Sequence, residues 1–62
     1  MNNKLREKVL RYGSVDTSNY RYVVSVEHNA DKQWLEIKRL PLSALNTTAA
    51  ITDWEVVETI GK

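Results

Sequence analysis

The chain predicts an α+β fold: a short N-terminal helix, a central antiparallel β-hairpin, a short helix or turn, and a third antiparallel strand. Three observations predict it. Leu5, Val9 and Tyr12 recur at helical spacing near the start. Residues 20–40 place β-branched and aromatic residues in alternation on both sides of a polar turn, Asn29-Ala30-Asp31-Lys32. Residues 54–60, WEVVETI, form a second run rich in strand-forming residues. A period of 3.6 marks the helix and a period of 2 the strands.

In the first element Asn3 is placed as an N-cap and Gly13 as the glycine that ends the helix. Glu7 and Arg11 are spaced to pair at i, i+4. A helix this short cannot hold itself in water, so its stripe must dock, and the hairpin offers the surface. A strand over residues 8–12 is the rival reading. Residues 14–19 are polar and read as a loop.

The hairpin is the best specified part. Asn and Asp accept turn geometry by bonding their own backbone. A turn there sets Val26 against Leu35, Val24 against Ile37 and Tyr22 against Arg39. Tyr20, Tyr22, Val24, Val26, Leu35 and Ile37 then share one face, the expected core. Arg21, Val23, Ser25, Glu27, Trp34, Glu36, Lys38 and Leu40 share the other. A slip of one residue would exchange the faces, so the register is fixed by the pattern. Pro41 forbids simple continuation of a central strand and opens a turn of helix over residues 41–45. Residues 46–51 are readable as helix or loop. In the last strand Trp54, Val56 and Ile60 are expected on one face and Glu55, Val57 and Thr59 on the other. The alternative architecture is a small all-β barrel of the SH3 type, with residues 5–12 as its first strand.

Composition bounds the function. The 62 residues make a single small domain, 1–62, near the lower size limit for independent folding. Low stability or self-association, including a homodimer, is therefore expected. Cysteine is absent, which leaves no disulfide and no thiolate metal site. No apolar run approaches the roughly 18 residues of a membrane span, and the start lacks the apolar segment of a signal peptide. A cytoplasmic location and no membrane partner are the expectations. The net charge of +1 favours no partner class. Its distribution is uneven: Lys4, Arg6, Lys8 and Arg11 stand against Glu7 alone, while Asp53, Glu55 and Glu58 stand against Lys62.

No chemistry-bearing constellation emerges. His28 is the single histidine, and its neighbour Glu27 points to the opposite face of the strand. The carboxylates show no catalytic spacing, the serines lie in no nucleophile motif, and two glycines cannot build a phosphate loop. No enzyme, no cofactor and no metal are expected. Asn46-Thr47-Thr48 matches the glycosylation acceptor pattern by chance.

Two binding surfaces remain. Val23, Trp34 and Leu40 lie along the second hairpin face with Arg21 and Lys38 beside them. Trp and Arg are frequent interface anchors, and an exposed apolar patch marks a partner site. The helix or residues 41–51 covering Trp34 and Leu40 is the competing outcome. The expected function is a non-enzymatic protein-binding module, an inhibitor or adaptor that occludes a partner's surface through Trp34, Val23, Leu40, Arg21 and Lys38. The alternative is a nucleic-acid-binding accessory protein using Lys4, Lys8 and Arg11, with Tyr20, Tyr22, Trp34 and Trp54 for stacking. A third route to a partner is pairing along the free sheet edge. In size and element order the chain resembles some phage-encoded proteins that bind and inhibit host machinery. That likeness is one of organisation and has no motif behind it.

Overall fold

A computed structural model describes residues 1–62. The chain runs α1 (Asn3–Tyr12), β1 (Ser14–Asp16), β2 (Tyr20–His28), β3 (Gln33–Pro41), a 3₁₀ turn (Leu42–Ala44), α2 (Ala49–Thr52) and β4 (Glu55–Ile60). The strands form an open antiparallel sheet in the order β1-β2-β3-β4, with α1 on one face. The α+β architecture holds, and the closed barrel does not form. The sheet has four strands rather than three because Ser14–Asp16 pairs with β2. Three residues, only Val15 of them apolar and inward, are too few to show a period.

The hairpin forms in the predicted register: Tyr22 opposes Arg39, Val24 opposes Ile37, and Val26 opposes Leu35. Asn29 closes it by local chemistry. Its Oδ1 accepts from the backbone N–H of Asp31 and of Lys32, both at 2.9 Å. Pro41 ends β3 beyond the reach of β4, which begins opposite Arg39, so its missing N–H costs no ladder bond.

Helix α1 is capped by Asn2, one residue earlier than expected, whose Oδ1 accepts from Leu5 N–H at 2.8 Å. Gly13 ends it at φ 84°, a left-handed conformation that glycine adopts without strain. Its docked face differs from the predicted stripe. Val9 is fully buried against Tyr22 and Ile37, with Leu5 and Leu10 packed around them. Tyr12 is 68% exposed. The helix is rotated so that Arg6, not Tyr12, flanks Val9, and Arg6 Nε donates to Glu58 Oε2 on β4 at 2.7 Å. Glu7 and Arg11 form no ion pair.

The predicted core face is covered only in part. Ile37 is fully buried, but Val26 near the hairpin tip is 65% exposed. The lengths explain this: ten helical residues span about 15 Å, whereas nine strand residues span roughly 30 Å. In β4 the expected alternation is broken. The register shifts between Ile37 and Lys38, so Glu58 opposes Ile37 while Val56 opposes Lys38. Val57 is the extra residue of a bulge and packs against the core. Val56 and Ile60 therefore lie on opposite faces, not together.

Ile37→Val lowers stability by about 1 kcal/mol and Ile37→Ala by about 2–5 kcal/mol. Tyr12→Ala shifts it by no more than about 0.5 kcal/mol. Urea unfolding followed by tryptophan fluorescence measures all three, and equal losses at Ile37 and Tyr12 would return Tyr12 to the docked face.

Candidate functional site

With α1 on the Tyr22–Ile37 face, the opposite face of the sheet is the candidate site. Strand β3 sends Trp34, Glu36, Lys38 and Leu40 to it at every second position. The partners across β2 are Glu27, Ser25, Val23 and Arg21 in that order. On the other side Thr59 opposes Glu36 and Val56 opposes Lys38. The five residues expected to bind a partner thus share one face, but their environments differ.

Leu40 is 1% exposed. Helix α1 lies on the far side of the sheet, so the connection of residues 42–54 is the stretch left to cover it. That connection is braced where Trp54 Nε1 donates to the Ala50 carbonyl at 2.7 Å. Leu40 is thus covered within the chain and presents almost no surface of its own on this face. Arg21 is held by Asp16 on β1 through two bonds, Nε to Oδ1 at 2.8 Å and Nη2 to Oδ2 at 3.0 Å. The pairing holds the Asp16 carboxyl below its usual range and raises the Arg21 guanidinium further. Val23 is half-buried between Ser14 and Lys38.

Trp34 is half-buried and fixed from two sides. Its Nε1 donates to Glu36 Oε2 at 3.0 Å, and the Lys62 ammonium lies 4.5 Å from its ring centroid. Lys38 Nζ donates to Glu27 Oε1 at 2.7 Å and lies 3.8 Å from Glu36 Oε1. Ser25 Oγ donates to the same Glu27 oxygen at 3.2 Å. Trp34, Glu36, Lys38, Glu27 and Ser25 are therefore one connected polar network around an indole. The Lys38 and Ser25 bonds hold the Glu27 carboxyl below its ordinary range. A carboxylate in that state is ionised at neutral pH and a weak base, which suits it to bracing rather than proton transfer. Val56, 49% exposed and opposite Lys38, adds an apolar side chain that strict alternation could not assign to this face.

The remaining sequence candidates fall elsewhere. Lys4, Lys8 and Arg11 are exposed on α1. Tyr20 and Tyr22 lie on the covered face, where Arg39 sits 4.3 Å over the Tyr20 ring and reaches Tyr22 Oη at 3.5 Å. Tyr22 is buried and half-buried Tyr20 is already engaged by Arg39. His28 is exposed at the end of β2, and no group of three or more metal-binding side chains is gathered anywhere. The edge of β4 is blunted by its bulge and by Glu55 and Glu58, both features that discourage strand addition. No helix is long and apolar enough to cross a membrane. Comparison with protein-family models, curated proteins and solved structures returns no match.

The network predicts a titration. Asp16 and Glu27 carry lowered folded values, so their pairing contributes stability above the ordinary carboxylate range and loses it as pH falls through those lowered values. Lys38→Met returns the Glu27 midpoint upward toward its ordinary value, read by carboxyl chemical shifts, and leaves Asp16 unchanged. A Glu27 midpoint insensitive to Lys38→Met refutes the network.

Proposed function

We propose that this chain is a small non-enzymatic protein-binding module, an inhibitor or adaptor that occludes a partner's surface with the open face of its sheet. One observation carries the reading: α1 occupies one face, while the other presents Trp34 held in place by Glu36 and Lys62. Holding an aromatic side chain in its bound position before association lowers the entropy cost of binding. Trp34, Val23, Val56 and the Lys38 stem form the contact, Arg21 with Asp16 forms a polar rim, and Leu40 stiffens the sheet below. The partner surface that fits has an apolar centre and a rim carrying both signs of charge, since Arg21 and Lys38 here alternate with Asp16, Glu27 and Glu36.

Capture from cell lysate on the immobilised chain, after nuclease treatment and in high salt, tests this. A partner retained by the native chain is expected to lose at least about 30-fold in affinity with Trp34→Ala, the scale of an interface anchor. Val56→Ala is expected to weaken it measurably. Retention equal in the native chain, Trp34→Ala and Val23→Ser sinks the proposal.

A further inference from the structure

Ion pairing sorts the charges of this chain onto different sides. Arg6, Arg21, Lys38 and Arg39 each have a carboxylate oxygen at 2.7–2.8 Å. These pairs engage Glu58, Asp16, Glu27 and Glu55, and Glu36 shares Lys38. Lys4, Lys8 and Arg11 enter no ion pair and are exposed. Their i, i+4, i+7 spacing puts them on one stripe, about 10 Å long, on the side of α1 turned away from Val9 and the sheet. Glu7 is the one acid among them. Tyr12 lines the same shallow groove as Lys4, Glu7, Lys8 and Arg11, and it is the residue the core rejected, 68% exposed.

We propose that the outer face of α1 binds single-stranded nucleic acid, with Lys4, Lys8 and Arg11 on phosphates and Tyr12 stacked on a base. The cations supply charge complementarity along a track rather than at a point. An exposed ring at the end of that track supplies what a phosphate surface alone lacks, a platform for an unpaired base. Phosphate contacts and stacking carry little sequence information, so the binding is sequence-tolerant. The whole-chain pI of 8.1 understates this surface, because five of the eight acids are engaged in ion pairs elsewhere and Glu7 alone stands beside the stripe. The aromatic partner is Tyr12, not the Tyr20, Tyr22, Trp34 and Trp54 set that the sequence offered. This site is separate from the Trp34 face and independent of it.

Fluorescence anisotropy of a labelled oligothymidylate of roughly 16 nucleotides, titrated with the full chain at several salt concentrations, tests the proposal. Three phosphate contacts predict a log–log salt slope of about −2. Lys4→Gln/Lys8→Gln/Arg11→Gln is expected to abolish both binding and slope, and Tyr12→Ala to weaken binding about tenfold with the slope unchanged. Trp34→Ala is expected to bind as the native chain does, and circular dichroism checks that each variant keeps its helix. Absence of binding at low salt overturns the proposal. So does binding that survives the triple substitution. Equal affinity for phosphatidylserine vesicles, with no dependence on Tyr12, reduces the stripe to a general cationic surface and also overturns it.

Discussion

The register of β2 against β3 is the constraint on which everything else depends. It places Tyr22 and Ile37 on one face and Trp34 and Lys38 on the other. Because side chains alternate, a shift of one residue would present Glu36 and Lys38 to α1 and expose Ile37. Burying those charges without partners would cost far more than the helix gains by docking. The turn reinforces the choice locally: the Asn29 carboxamide satisfies two backbone donors only when residues 29–32 form the loop. Turn chemistry and long-range packing therefore select the same pairing, the consistency that a small domain needs.

From that register the rest follows by reach and charge. The buried core is thin, with Val9, Tyr22 and Ile37 as its cluster. Cross-element polar contacts extend it. Arg6 ties α1 to β4 through Glu58, and Arg39 ties β3 to β4 through Glu55 at 2.8 Å. These pairs are partly exposed and each adds little alone. Their larger effect is on orientation, since they fix where the helix lies and which of its faces stays in water. The bulge at Val57 belongs to the same economy of shape. It lets Val57 reach the core while Val56 turns to the open face, and it leaves Glu58 where Arg6 can meet it.

The parts legible in the sequence were those with a repeated signal. The hairpin could be read because both arms carry period 2 and the turn carries its own chemistry. Gly13 could be read because only glycine is comfortable where the helix turns left-handed. Strand β1 was hidden because Ser14, Val15 and Asp16 are too few to show a period, and their pairing depends on Gly13 steering the chain back along β2. Tyr12 was misassigned to the core because Leu5, Val9 and Tyr12 do form a stripe. The competing orientation places half-buried Arg6 beside Val9, where it meets Glu58, and a hydrophobic pattern undervalues an arginine that can pair at the edge of a core. For the candidate site, face membership was readable from alternation, whereas exposure was not. Leu40 and Trp34 have the same parity on β3, and alternation cannot tell that one is buried and the other half-exposed.

The two proposed surfaces face opposite directions across a molecule whose least extent is 16 Å. A protein partner on the sheet face and a strand on α1 would therefore not collide. Communication between them need not involve a switch. Allosteric coupling requires two states that both ligands bias, and the elements between the surfaces are a hydrogen-bonded sheet and a helix anchored by a fully buried Val9. Coupling through proximity requires nothing of the kind. When one surface is engaged, the other is held near whatever lies beside the first partner, and effective concentration raises its occupancy without a new contact. On that argument the chain gains by segregating its charges without needing a switch. The sheet pairs its own acids and bases around Trp34, and three of the five unpaired cations, Lys4, Lys8 and Arg11, gather on the face of the helix that packs against nothing.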